Sequence, residues 1–454
     1  MSAPTSSDRA AVRTDGPPIA PYGWFQAVWT VLAGLVVMGV VAALGLWAAG
    51  GTHIPENGFP RAVMAVVVVA VGGSVRLAGD AGPLAGSRAG LTVMPLSVTL
   101  AGALVIAAGF LRPLRHRAVA GASELAGWAA RIAVLWLPAL IGMALAARQT
   151  FPVPLGGGAI GDIGQLFGIA PRIGYTTDLP QTVVFGLLWL AGVLLIALLV
   201  SPGVPLPDRL RHRQESVRPA AYAVVALLLA YVALGVVIAL VVAATRGHPA
   251  QTLAVILLGL PNLVWPLFTI GLGATWHGRV DGPLGLPAPH LLDEVLRTPD
   301  VSTLNLRTLA AHDGRVWWLV VVNAVLVLAA AWLTAARSPA GTRAWWHAAR
   351  LAGALVAAVL MICLVCRIRA HYGLSLLGVG DLGGGLSGVL MLTPQWWTAL
   401  GLAALWGLAA GFVAGPAEGR IRRRGGGRGE VPGPVPRRRA TAEPDSGSAR
   451  SPDD

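Results

Sequence analysis

The chain has 454 residues, of which 55% are hydrophobic and only 12% are charged, and its formal net charge is +13. Soluble globular proteins usually carry about 25% charged residues, so this composition excludes that class. The apolar residues come in blocks of roughly 20, the length that crosses a bilayer as a helix, and the chain is therefore predicted to be a multi-pass membrane protein.

Ten apolar segments are long enough to be candidate spans. Two of them contain helix breakers: the second holds Gly72, Gly73 and Arg76, and the seventh is interrupted by "LPN" at 260–262 and by Pro266. Either segment is a candidate broken or re-entrant helix, a form that membranes tolerate where protein or water satisfies the backbone. The ten segments lie at 24–48, 62–78, 91–111, 122–146, 181–200, 220–244, 251–272, 315–335, 347–367 and 395–415.

The arginines predict the orientation, because basic residues in short loops stay on the cytoplasmic side. The Arg-rich loops at 111–117 and 207–218 and the tail that begins at 420 are therefore predicted inside. Five candidate spans separate the second loop from the tail, so one must fail to cross, and the seventh is the natural suspect. About nine crossings then remain, the 273–314 segment lies outside as a long extracellular loop, and the side of the amino terminus stays open.

The two ends of the chain are predicted to lie outside the helical domain of residues 24–415. Residues 1–23 form a polar amino-terminal tail. Residues 416–454 are rich in Pro, Ser, Gly and charge, a composition that cannot bury a core, and are predicted to be disordered. The arginines of this tail are expected to contact anionic lipid headgroups and not nucleic acid.

Three glycine-rich segments resemble one another, at 77–95, 159–180 and 378–394. Each runs from a Gly-Asp pair through small residues to a proline that opens the next span, and the acidic members are Asp80, Asp162 and Asp381. Together they predict a repeated helix-pair unit whose glycine-rich extracellular or re-entrant loops share one face. The loops are either tight turns or the lining of a vestibule with three carboxylates.

Ionisable groups inside spans are few. Glu124 lies in the first turn of its span and Arg131 two turns deeper on the same face, and either anchoring at the interface or a transport role fits them. Asn323 is expected to bond across to a neighbouring helix. The pair Cys363 and Cys366 is read as core packing, and the nine histidines show no metal-binding spacing, so no metal, cofactor or catalytic residue is predicted.

The segment "RGHPAQTLAVILLGLPNLVWPLFTIGLGATW" at 246–276, with "GLTVMPLSVTLAGALVI" at 90–106 and the Gly-Asp loops, resembles the streptophobe family of very hydrophobic streptomycete membrane proteins. That resemblance implies a membrane location and an all-α architecture, with no assigned activity. The "LPN" followed by "GLG" is also similar to actinobacterial cell-division-linked permease-like membrane proteins, which implies a role in envelope or division assembly.

Two functions follow as hypotheses for a polytopic, all-α bundle of about nine to ten spans in the plasma membrane with a cytoplasmic C-terminal tail. The first is a non-enzymatic, envelope-associated scaffold that binds envelope or division membrane proteins. The alternative is a permease or channel-like transporter that uses the Gly-Asp loops. A membrane-embedded transferase is a third class, for which His53 and Glu56 are the nearest candidates.

Overall fold

A computed structural model describes most of the helical part of the chain: residues 23–51, 58–80, 85–116, 122–152, 172–201, 208–247, 249–281, 302–338, 343–376 and 388–425. Asp162, Asp381, His53, Glu56 and the tail beyond residue 425 lie outside these ranges. The helices are α1 (Trp24–Ala48), α2 (Gly58–Ala70), α3 (Leu96–Leu111), α4 (Ala122–Ala146), α5 (Leu179–Val200), α6 (Asp208–Arg246), α7 (Pro249–Gly271), α8 (Leu306–His312), α9 (Trp318–Arg337), α10 (Ala344–Val365) and α11 (Trp396–Gly425).

Eight of these helices are long and apolar enough to cross a membrane: α1, α4, α5, α6, α7, α9, α10 and α11. The predicted polytopic helical bundle is therefore confirmed, and the chain is a multi-pass membrane protein. Helices α2 and α3 are shorter. The second predicted span was too long, because α2 stops at Ala70 and the chain then turns into a strand. The last helix also runs on to Gly425, past the predicted boundary at 415.

The bundle carries an eight-stranded antiparallel sheet that the sequence analysis did not predict. Its order is β3-β4-β1-β2-β7-β8-β5-β6. Each predicted glycine-rich loop turns out to be flanked by strands of this one sheet. The strands are β1 (Val75–Asp80), β2 (Ala85–Thr92), β3 (Gln149–Pro152), β4 (Arg172–Thr177), β5 (Trp276–Asp281), β6 (Ser302–Leu304), β7 (Ile368–Leu376) and β8 (Gly388–Pro394).

The order of elements repeats once along the chain. From α1 to α5 it reads helix, helix, two strands, helix, helix, two strands, helix, and α6 to α11 repeat this order with the short α8 inserted after β6. The repeat is thus larger than the predicted helix pair: it comprises five helices and four strands. We call residues 24–200 the first unit and residues 208–425 the second unit.

The strand registers give an alignment of the two units. Val75 of β1 pairs with Leu91 and Thr177, and Trp276 of β5 pairs with Leu304 and Pro394. Aligning Val75 with Trp276 also aligns Gly72 with Gly273, two glycines with positive φ that lie just before β1 and β5. The turn before the strand therefore supports the alignment independently.

The strands define a common end of the bundle, which we call the sheet end. Helices α4, α7 and α10 lead directly into strands, and α3, α5 and α11 directly follow strands, so these helix termini lie there. The guanidinium of Arg337, at the end of α9, lies 3.7 Å from the ring centroid of Tyr222, in the first half of α6. The start of the apolar part of α6 therefore lies at the opposite end, with the end of α9.

Helix α7 enters and leaves at the sheet end. Because α6 starts at the opposite end and runs to Arg246, α7 begins at the sheet end at Pro249 and still passes into β5 there. The expectation that the seventh segment is re-entrant agrees with this path. The sequence predicted that the helix is interrupted at the prolines, but α7 continues through Pro261 and Pro266.

Helix α2 is the counterpart of α7 in the first unit. Helix α1 packs antiparallel to α3, with Gly34 against Ile106 and Met38 against Gly102, so α1 ends at the sheet end. Since α2 follows and runs into β1, it too starts and stops at that end. Each unit therefore has four helices that run from one end of the bundle to the other and one short or oblique helix that returns to the sheet end, which we call re-entrant.

Each unit also has its own apolar core. The core of the first unit is built around Trp128 and Trp136, and that of the second around Phe268 and Trp276, all fully buried. Burying aromatic groups of this size contributes strongly to packing in either environment. The units are thus two helical bundles that share one sheet.

Candidate functional site

The predicted site residues do not converge in the part of the chain that the structure describes. Asp80 is the last residue of β1, in register with Gly86 and Arg172. Glu124 and Arg131 lie on α4, far along the chain from that strand, and the guanidinium of Arg131 lies 5.9 Å from the ring centroid of Trp24 on α1. Asp80 thus lies at the sheet end, whereas Glu124 lies at the start of α4, near the opposite end.

The two-unit repeat changes which acidic residues occupy corresponding positions. The 219 residues that separate Gln149 of β3 from Ile368 of β7 also separate Asp162 from Asp381 in the sequence. Asp80, however, corresponds by strand register to Asp281, the last residue of β5. The acidic residues are therefore two related pairs, and Asp281 is the member that the motif comparison missed, because its neighbouring glycine follows it instead of preceding it.

The two re-entrant helices end in the same backbone motif. Gly72 has φ +97° and Gly273 has φ +103°, a left-handed conformation that glycine adopts without penalty. The N–H groups of Gly73 and Ala274 each donate to the carbonyl five residues back, and those of Gly72 and Gly273 to the carbonyl three residues back. This is a Schellman C-cap, and it reverses the chain from each helix into its strand.

Helix α7 is joined to the first unit by side chains that replace backbone partners. The hydroxyl of Ser97 donates to the carbonyl of Ile256 at 2.7 Å and accepts from the N–H of Leu260 at 3.2 Å. It thereby bridges a donor and an acceptor that an α-helix normally pairs directly. Asn262, of the "LPN" motif, accepts from the N–H of Leu96 at 3.1 Å and so satisfies a donor in the first turn of α3.

Beyond this junction, the end of α7 gathers polar side chains inside the second unit. Thr269 accepts from the indole N–H of Trp276 at 2.8 Å, and Trp406 donates to the carbonyl of Leu272 at 3.1 Å. Asn323, with no exposed surface, donates to the carbonyl of Phe268 at 2.8 Å. The expected bond from Asn323 to a neighbouring helix is therefore present.

Two buried polar atoms in this cluster make no hydrogen bond to any described residue. They are the side-chain oxygen Oδ1 of Asn323 and the hydroxyl of Tyr231 on α6. Both residues contact Phe268, the first through its amide and the second through its ring, at a centroid distance of 4.9 Å. Native proteins rarely leave such groups unsatisfied, so this cluster is the best candidate for a small polar ligand among the described residues.

The first unit has different side chains at the described end of α2. The positions that correspond to Thr269 and Trp276 are Val68 and Val75. Thr182 is fully buried there, and its hydroxyl donates to the carbonyl of Asp178 at 2.7 Å. At the surface of the sheet end, Arg76 pairs with the side chain of Asp178 at 2.7 Å. The backbone motif is thus shared by both units, whereas the cluster around Asn323 and Tyr231 belongs to the second.

The sheet end also holds a tyrosine with a shifted pKa. Tyr175 lies in β4, outside the spanning helices. Burial raises the pKa of its hydroxyl, and the nearby Arg61 guanidinium opposes that rise. The phenol is therefore neutral over the physiological range.

Comparison with known proteins adds no assignment. No family model, no curated protein and no solved structure matches this chain.

Proposed function

We propose that this membrane protein is an envelope-associated scaffold whose sheet end faces out of the cytoplasm and binds envelope or division membrane proteins. The observation that carries the proposal is the eight-stranded sheet. It is built by four helix connections from both units, and β2 pairs with β7 across the boundary between them. Such a sheet fixes the two bundles to each other and gives them one common surface outside the helices.

The packing of the helices supports the same proposal. Gly407 and Gly411 let α11 approach the backbone of α10 at Ala352 and Ala348, the close small-residue contact that holds membrane helices together. The acidic side chains that the structure describes within the long apolar helices are Glu124 and Glu215, both near helix starts. Ion-coupled transporters usually use carboxylates deeper in the membrane, so this arrangement favours a static framework.

The orientation follows from the arginine loops at the opposite end. Residues 111–117 and 207–218 connect helices there, and basic loops are retained in the cytoplasm. The resemblance to the streptophobe family supports a membrane location, and the resemblance to division-linked membrane proteins supports a role in the envelope. The sheet is then exposed to the cell envelope.

A permease is the second candidate, and the polar cluster at the end of α7 favours it. Transporter sites are often built at the interface between repeats, beside helices that do not cross completely. Helix α7 contacts both units, and its end carries the unsatisfied Tyr231 hydroxyl and Asn323 carbonyl. Lacking a described carboxylate, this site suits a neutral solute better than an ion.

Two sets of variants separate the candidates in a deletion strain. In the first, a Gly-Ser linker of equal length replaces residues 282–301, between β5 and β6. In the second, Tyr231→Phe and Asn323→Leu remove the unsatisfied polar atoms. The scaffold predicts that the first set loses co-purifying division or wall-synthesis proteins and fails to complement, while the second behaves as wild type.

The opposite pattern would reject the scaffold in favour of the permease. Expression and detergent stability of each variant serve as controls for folding.

Orientation is measured separately with single cysteines at Thr303, exposed at the sheet end, and at Val217, 44% exposed near the start of α6. In intact cells, an impermeant maleimide should label the first and not the second, and labelling of Val217→Cys alone would reverse the orientation.

A further inference from the structure

We propose that Arg350 binds the phosphate group of an anionic phospholipid at the end of the bundle opposite the sheet. Arg350 lies six residues after the start of α10 at Ala344, which is about 9 Å along the helix axis. It therefore lies at the depth of the lipid headgroups and the first carbons of the chains. This inference goes beyond the scaffold and does not depend on it.

The guanidinium of Arg350 is held by an aromatic contact and not by a described acid. Its centre lies 5.6 Å from the ring centroid of Trp346, one turn earlier on α10. Its Nε is buried and makes no hydrogen bond to any described group. The ion pair between Arg76 and Asp178 lies far from it, at the sheet end.

The surroundings of Arg350 are basic and aromatic. Arg343 precedes α10, and Trp345 and Trp346 stack with centroids 4.2 Å apart while remaining about half exposed. Indoles of this kind settle at the interface of the bilayer. Arg350 is partly buried, a guanidinium held at this depth is stabilised by an anion, and its fork of donors matches the geometry of a phosphate.

The repeat places a second arginine at the corresponding position. The same 219 residues that relate β3 to β7 relate Arg131 to Arg350, and both end an Ala-Ala-Arg triplet, at 129–131 and 348–350. Each guanidinium lies near a tryptophan ring, Trp24 for the first and Trp346 for the second. An arginine that occupies both copies of a diverged repeat at headgroup depth points to a role that both units share.

The lipid assignment differs from the general attraction of basic loops to anionic membranes. A diffuse attraction depends on net charge and falls with salt. A site depends on one side chain and on its donor geometry. Neutralising Arg350 should therefore weaken binding far more than neutralising an exposed arginine at the same end, such as Arg112.

The test measures the thermal stability of the full-length protein in detergent as phosphatidylglycerol, phosphatidylcholine or inorganic phosphate is added, with bound lipid counted by native mass spectrometry. We expect phosphatidylglycerol to bind and stabilise the wild type. Arg350→Gln should weaken that binding at least about ten-fold, the loss of one charge-assisted contact. Arg112→Gln should change it less than about two-fold, because its charge is exposed and screened.

Three results would overturn the proposal. They are an equal effect of phosphatidylcholine, an equal effect of inorganic phosphate at millimolar concentration, and unchanged binding of phosphatidylglycerol by Arg350→Gln. If Arg350→Gln does not fold, Arg350→Lys takes its place. Lysine keeps the positive charge but lacks the forked donors of the guanidinium. The affinity of Arg350→Lys for phosphatidylglycerol should therefore lie between that of the wild type and that of a protein without the site. Wild-type affinity would contradict the role given to the guanidinium.

Discussion

The contact between α10 and α11 gives the sharpest stability prediction. A Cβ added at Gly407 would lie 2.8 Å from the backbone N of Ala352 and closer still to its Cα. Backbone atoms cannot rotate away, so Gly407→Ala must push the helices apart. The matched control is Gly401→Ala, on the same helix, where an added Cβ meets nothing within 4 Å.

The magnitude follows from two opposing terms. Both variants gain helix propensity, roughly 0.5–1 kcal/mol, and this gain cancels when they are compared. Gly407→Ala also overpacks a tight contact, which costs about 1–3 kcal/mol. We therefore expect the free energy of unfolding of Gly407→Ala to lie about 1–3 kcal/mol below that of Gly401→Ala.

The two native cysteines provide the assay. Cys363 and Cys366, the cysteines of the chain, are free and buried near the end of α10. A fluorogenic maleimide that reacts with them during a titration with sodium dodecyl sulfate in mixed micelles reports the opening of this helix pair. A difference between the two variants below about 0.5 kcal/mol, the usual scale of neutral substitutions, would refute the close contact.

Three further variants test other contacts with the same assay. Asn262→Leu should lower the unfolding free energy by about 1–3 kcal/mol, because it leaves the N–H of Leu96 and the carbonyl of Met94 without their side-chain partner. An unchanged value would contradict the role of Asn262 in joining the two units. Gly72→Ala and Gly273→Ala should each cost about 1–2 kcal/mol for the left-handed backbone. Gly72→Ala should cost more, since its Cβ also meets a side chain of α5 at 2.9 Å, and equal costs would contradict this. Asp178→Ala should lower the unfolding free energy by about 1 kcal/mol, because α5 loses its N-terminal cap. Asp178→Asn should retain most of that stability, because asparagine also caps helices. Equal losses in the two variants would assign the effect to the ion pair.

The sequence predicted the helices well because their signal is local. The apolar runs at 24–48 and 122–146 coincide with α1 and α4, since twenty apolar residues without a breaker have few alternatives in a membrane. The second span was misjudged because it was extended to residue 78, past Gly72, Gly73 and Arg76. The left-handed turn at Gly72 follows the end of the helix, and the next residues form β1.

The sheet was missed because its signal is not local. Strand β2, with the sequence "AGSRAGLT", has little β-propensity and no clear alternation. Its partners β1 and β7 lie in different units, and a single sequence does not show which strands meet. The sequence predicted that Asn323 bonds to another helix, and it does. It did not predict that a polar atom of Asn323 and the hydroxyl of Tyr231 lack a partner, because a tyrosine in an apolar run ordinarily finds one.

The strand order has a consequence for how the protein is made. Strands β7 and β8 are synthesised last, yet they lie in the middle of the sheet, between β2 and β5. Until α10 has been inserted and the final hairpin emerges, the sheet exists as two separate pieces with unpaired edges, the kind of long-range pairing that is slow to form. A chain that stops before residue 368 therefore leaves the first bundle and a second bundle without its last helix in the membrane, with the sheet in two pieces, which gives a quality-control protease a means of distinguishing a truncated chain from a finished one.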